Sequence, residues 1–196
     1  MSKKEAAKEE KVSLKREIIE WGVVIEVAVV LAVIINMFFL VNAIIPSGSM
    51  EPTIMTGDRI FGNRLAYTKE DPKRGDIVIF KFPDDERQLF IKRVIGEPGD
   101  VVWIKEGLVY INGSEQPLEE PYVKVEPMGD FGPYLVPEDC YFMMGDNRNN
   151  SADSRYWQNT FVHKSKILGE AWVRYLPRPS KIESGMDYKI DSVKQQ

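Results

Sequence analysis

Three short segments of this chain carry residue types that can do hydrolytic chemistry. The first is Ile45-Pro46-Ser47-Gly48-Ser49-Met50-Glu51-Pro52-Thr53-Ile54. Two serines flank a glycine, and prolines hold both ends. A serine acts as a nucleophile when its Oγ faces a substrate and backbone N–H groups stand ready for the oxyanion. Gly48 would let the backbone approach closely. The second segment is Phe90-Ile91-Lys92-Arg93-Val94. In a strand the side chains alternate, so Lys92 shares its face with Phe90 and Val94. Burial among apolar groups disfavours the ammonium form, and a neutral amine is a competent general base. The third runs from Gly145 to Arg155 as GDNRNNSADSR, dense in hydrogen-bonding side chains after an apolar stretch. Each segment alone has an ordinary counterpart. The first and third also read as surface loops, and Lys92 as an edge-strand lysine facing water.

The rest of the composition removes competing chemistries. The 196 residues include one Cys and one His. One Cys closes no internal disulfide, and the pair cannot make a usual structural zinc site. Any His-based catalytic pair would depend on His163, in Phe161-Val-His-Lys-Ser-Lys-Ile167, which reads as a surface residue. The formal charge of −4 gives no basic field of the kind that binds nucleic acid.

The elements that must position the three segments begin with an apolar run. Residues 21–45 read WGVVIEVAVVLAVIINMFFLVNAII, with Glu26 the only charge. As a helix this run would be about 37 Å long at ~1.5 Å per residue, enough to cross a bilayer with tilt. Glu26 lies near the headgroups if the span starts late. Lys3, Lys4, Lys8, Lys11, Lys15 and Arg16 precede the run, whereas the first twenty residues after it hold only Arg59 and Arg64. The positive-inside rule then keeps residues 1–17 cytoplasmic, makes 18–45 a signal anchor and exports 46–176. The competing reading is a cleavable signal peptide, with Val41-Asn42-Ala43 as the cleavage site.

Beyond the anchor, Asp76–Phe82, Leu89–Ile95, Val101–Ile104, Leu108–Ile111, Cys140–Met144 and Ile167–Tyr175 are rich in β-branched and aromatic residues and predict strands. Asn112-Gly113 is a hairpin-type turn. With no long amphipathic helix after residue 45, the fold class is mainly β behind a single transmembrane helix. Residues 177–196 read as a mobile tail.

Together PSGSMEPT (46–53), RGDIVIF (74–80), FIKRVIGEPGD (90–100) and GDNRNNSADSR (145–155) resemble the bacterial type I signal peptidases, in the family's order and behind a membrane anchor. The short interval from about 101 to 140 matches the compact form common in Gram-positive bacteria, with a small insertion there. The resemblance implies a coiled antiparallel, barrel-like β domain carrying a Ser/Lys dyad. Ser49 aligns with the nucleophile and Lys92 with the general base. Ser47 aligns with an oxyanion-hole hydroxyl and Ser151 with a residue that orients the lysine. Asp146, Asp153 and Arg155 align with supporting positions. Ile45, Pro46, Met50, Ile54, Phe90 and Ile91 fall where the family lines pockets for small side chains.

The implied activity is removal of signal peptides after Ala-x-Ala sites through an acyl-enzyme, with no metal and no cofactor. The implied partners are exported preproteins, the lipid bilayer and, as a further candidate, the secretion translocon, with no nucleic acid. Three alternatives stand beside this reading. Self-cleaving repressor proteases also use Ser/Lys, but they carry a DNA-binding segment where this chain has residues 1–45. An inactive membrane-anchored binding module would not need Ser49, Lys92 and Ser151 together. Self-processing near Val41–Ala43 would release the domain, and an unchanged mass after incubation would reject it.

Overall fold

The computed structural model describes residues 3–184. The chain divides after Phe39 into two compact units. The first is helix α1, Lys3–Phe38. From Arg16 to Phe38 it is long and apolar enough to cross a membrane. Its large apolar side chains, such as Val24, Val29, Leu31 and Val33, are exposed.

The helix stops at Phe38, not at Ile45 as the apolar run predicts. Leu40–Ile44 instead form strand β1 and pair with β2, Arg59–Asn63. The reason is packing. Val41 and Ile45 are buried beside Met50, Ile54, Ile60, Ile77 and Ile79. A helix continued to residue 45 would leave that apolar surface uncovered. The apolar run therefore holds two elements with different solvents.

The second unit is mainly β, with antiparallel pairing throughout. The remaining strands are β3 (Ile77–Phe82), β4 (Asp85–Gly96), β5 (Val101–Lys105), β6 (Leu108–Ile111), β7 (Phe131–Leu135), β8 (Cys140–Met144), β9 (Val162–His163), β10 (Ile167–Leu176) and β11 (Ser180–Lys181). The larger sheet runs β1-β2-β10-β3-β4-β8-β9, with β11 added on β10. Its pairing path has two free ends, β1 and β9. A separate three-stranded sheet, β6-β5-β7, occupies the interval predicted as an insertion. It has its own packed layer, in which Val102, Ile104 and Val109 meet Phe142 and Met144 of the larger sheet. The β5–β6 turn is made by Glu106 (φ 50°) and Gly107 (φ 80°). Asn112-Gly113 turns the chain next, and Leu118 N–H returns to Val109 O at 2.7 Å.

The expected tail is partly built into the fold. Ile182 is buried, and Ser184 Oγ accepts the Ile77 N–H at 2.9 Å. The rest of that expectation, residues 185–196, lies outside the described residues.

Candidate active site

Ser49 sits in the loop between β1 and β2. Two backbone bonds close this loop at its base: Ile45 N–H to Asp58 O at 3.0 Å, and Gly57 N–H to Ile45 O at 2.8 Å. Within it, Glu51 N–H donates to Gly48 O at 3.1 Å and Ile54 N–H to Met50 O at 2.9 Å. Met50 and Ile54 point into the core, which turns Ser49 toward the sheet.

Lys92 lies opposite Val78 in the middle of β3–β4. As the alternation predicts, it shares a face with Phe90, whose ring centroid is 5.4 Å from Nζ. Lys92 Nζ donates to Ser49 Oγ at 2.7 Å and to Ile91 O at 3.1 Å. No carboxylate pairs with it among the described residues. Burial therefore dominates its titration and pulls its pKa down to about 8, while the nearby charges of Asp153 and Asp146 oppose the shift. About a tenth of the amine is then neutral at pH 7.

The GDN loop clamps the serine turn. Asn147 N–H donates to Ser49 O at 3.1 Å, and Asn147 Nδ2 donates to Gly48 O at 3.0 Å. Gly145 lies so close beneath them that a Cβ there would stand 2.4 Å from Ser49 O and 2.3 Å from Ser151 Oγ. Among the described residues the Ser49 N–H donates to no backbone carbonyl. Ser47 and Pro46 are exposed on the same loop.

Asp146, Asp153 and Arg155, expected as supporting positions, take part in two buried ion pairs. Asp146 accepts from Arg93 Nε at 2.8 Å and Nη2 at 2.7 Å, and from Thr53 Oγ1 at 2.5 Å. Arg93 also donates to Gly75 O at 2.7 Å and lies 3.8 Å over the Tyr122 ring. Asp153 takes Arg155 Nε and Nη2 at 2.8 Å each, and the Gly145 N–H at 3.0 Å. Arg148 bridges outward from this loop. It donates to Gly145 O at 3.1 Å and pairs with Glu120.

Two expected contributions are not made in the resting structure. Ser151 does not bond Lys92; its buried hydroxyl has no partner among the described residues. Its Oγ lies against Gly145 instead. Ile45, Met50 and Ile54, expected as pocket lining, are at most 3% exposed and form the packed floor under the serine loop. Only Pro46, Phe90 and Ile91 of that set reach the surface.

Arg93, Asn147 and Thr53 join the site without a motif that marks them in the sequence. A signal for Arg93 was present. Two adjacent cations in an apolar strand point to opposite faces, so the second needs a buried partner. His163 is exposed, as expected, and its Nδ1 accepts the Ser165 N–H. A separate cleft of about 390 Å³, lined by Arg64, Tyr67, His163 and Lys164 among others, shares no residue with the Ser49–Lys92 site. No three His, Cys, Asp or Glu among the described residues are grouped as metal ligands.

A serine in contact with a buried lysine on a mainly β scaffold invites comparison with hydrolases. The family model described as signal peptidase, peptidase S26, matches residues 18–176. The chain belongs to this family of serine endopeptidases. Within it, the chain is similar to proteins carrying the name signal peptidase I. It is 40% identical over 181 residues to the signal peptidase I of Bacillus amyloliquefaciens, covering 87% of this chain and 95% of the relative. It is 42% identical over 160 residues to that of Leptolyngbya laminosa, covering 78% and 77%. A Synechocystis sp. protein named "Probable signal peptidase I-2" is 44% identical over 166 residues, covering 82% and 74%.

Proposed function

We propose that this chain removes N-terminal signal peptides from exported preproteins, cutting after small side chains in an Ala-x-Ala pattern. Ser49 is the nucleophile and Lys92 its general base. The observation that carries this reading is the 2.7 Å approach of a buried lysine amine, lowered to about pKa 8, to the Ser49 hydroxyl.

The neutral amine takes the Ser49 proton as Oγ attacks the scissile carbonyl. The resulting ammonium donates that proton to the leaving amine as the peptide bond breaks and the acyl-enzyme forms. A water then gives a proton to the same amine and attacks the ester, and Ser49 regains its hydrogen. The Ser49 N–H and the Ser47 hydroxyl receive the oxyanion, consistent with a backbone donor not used within the loop. Asn147 holds the loop's carbonyls back and keeps that donor forward. Asp146 and Asp153, with Arg93 and Arg155, hold the two walls of the site in register. The Ser151 hydroxyl turns onto Lys92 as the amine changes charge. Pro46, Phe90 and Ile91 border a shelf for small side chains over the floor of Ile45, Met50 and Ile54.

The N-terminus lies in the cytoplasm and the β unit outside, as the charge asymmetry around α1 implies. Chain connectivity puts Ser49 eleven residues past the end of the helix, so enzyme and membrane-borne substrate share one surface. The test is cleavage of a preprotein with an Ala-x-Ala site by the full chain in detergent. Ser49→Ala and Lys92→Ala are each expected to abolish it. Full activity in either variant rejects the pair.

A further inference from the structure

The end of α1 fixes the depth of Glu26. A bilayer crossing takes ~20 helical residues. Counted back from Phe38, that crossing begins near Ile19. Glu26 then lies about 10 Å from one end and about 18 Å from the other, at ~1.5 Å per residue. The late start that would bring it to the headgroups is ruled out, because residues 40–44 are committed to β1.

An acidic side chain at this depth calls for a polar partner. Among the described residues the Glu26 side chain has no hydrogen bond and no ion pair. Apart from Glu20, which lies at the start of the span and pairs with Arg16, the other strongly polar side chain there is Asn36, which donates one amide N–H to Ala32 O at 2.9 Å. Its carbonyl oxygen and second N–H remain for another partner. These two residues share one stripe. Gly22, Glu26, Val29, Val33 and Asn36 follow steps of four, three, four and three residues. At 3.6 residues per turn they fall within an arc of about 80°. Val24 and Leu31 lie about half a turn away. The 4-3 spacing is that of a helix pair packing along a single seam.

We propose that α1 self-associates in the membrane through this stripe, with a second copy of this chain as the occupant. Whichever way the helix crosses, every copy crosses the same way, so two copies meet parallel and in register. Each polar residue then faces its own counterpart. An Asn amide is self-complementary because it both donates and accepts. Two carboxyl groups bind each other when they share one proton, as paired acids do. Gly22 allows close backbone approach at the start of the seam. The inference rests on α1 spanning the bilayer.

The experiment uses the full chain in membranes, with Cys140→Ser removing the native thiol. Single cysteines are placed by Val29→Cys, Val33→Cys, Val24→Cys and Leu31→Cys, and the membranes are oxidised. Disulfide-linked dimer is expected from positions 29 and 33 at several times the yield from 24 and 31. Adding Glu26→Leu lowers that yield by about threefold, as does loss of a typical interhelical polar contact. Glu26→Gln, which can still donate and accept, retains it. Equal yields on the two faces, or no dimer, overturns the proposal. So does a photo-crosslinker at position 29 that captures only a different protein. Alkaline carbonate extraction of the same membranes separates the two failures. Retained protein without dimer rejects self-association alone, whereas released protein rejects the membrane span as well.

Discussion

Lys92 and Arg93 are neighbours in β4, and both are buried, at 4% and 2% exposure. Their surroundings differ completely. Arg93 meets a carboxylate with two parallel bonds, a backbone carbonyl and an aromatic face. Each of its three nitrogens donates to an oxygen, so it acts as a strut between β4 and the GDN loop. Lys92 meets a hydroxyl, a carbonyl and an aromatic ring, with no carboxylate bonded to it among the described residues. Its charge is opposed by burial, so the amine gives up its proton more readily. Burial with a partner suits a cation to a structural role, and burial without one suits it to act as a base. One residue of strand register separates the two outcomes.

The sharpest way to break this contrast is to exchange the cations. Lys92→Arg keeps the charge but cannot become neutral. Preprotein cleavage is expected to fall by about a thousandfold or more, as with Ser49→Ala, with the fold retained by circular dichroism.

The next largest effect falls on stability and has opposite signs at the two positions. Arg93→Ala leaves Asp146 buried without its partner and is expected to cost about 3–5 kcal/mol in urea unfolding. Lys92→Met removes an uncompensated buried amine and is expected to stabilise the chain by about 1–3 kcal/mol near neutral pH. Two destabilised variants of similar size would erase the distinction.

A pH profile sharpens it further. The folded chain releases the Lys92 proton near pH 8, well below the ordinary lysine value of 10.5. Between those values the unfolded chain binds more protons, so Lys92 makes stability rise with pH across that window. Activity of the full chain is expected to climb about tenfold per pH unit below 8 and then level off. A flat rate through that range counts against a lysine base.

The smallest effect is at Ser151. Its hydroxyl has no partner in the resting chain, so Ser151→Ala should change stability by less than ~0.5 kcal/mol. If the hydroxyl supports the charged amine during the reaction, kcat drops by about tenfold with KM little changed. Equal losses of stability and activity would instead make Ser151 part of the framework.

Much of the candidate site was legible because its residues lie in short contiguous segments. The strands around Lys92 and before Gly145 show the apolar richness of buried β structure, and the Phe90–Lys92 face follows from alternation alone. What was hidden depends on contacts distant in sequence. Arg93 becomes intelligible only beside Asp146, and Tyr122 only beside Arg93. Ile45, Met50 and Ile54 look like lining because they neighbour the serine, yet their side chains turn inward. Strand β1 was masked by hydropathy. Val41 and Ile45 score equally well against lipid and against a protein core, and only the pairing with Arg59–Asn63 decides. Ile182 gave little local signal, since a single apolar residue in a polar stretch does not reveal that it is buried.

The position of β1 also bears on how the β unit can be released from its helix. A cut at residue 45, where the apolar run ends, removes a whole edge strand and takes Val41 and Ile45 out of the core. It also takes away the carbonyl and N–H of Ile45 that close the base of the serine loop. A cut just before Leu40 keeps all of these. Six residues at the junction therefore separate a shortened chain with Ser49 held in place from one in which Ser49 lies on a frayed end.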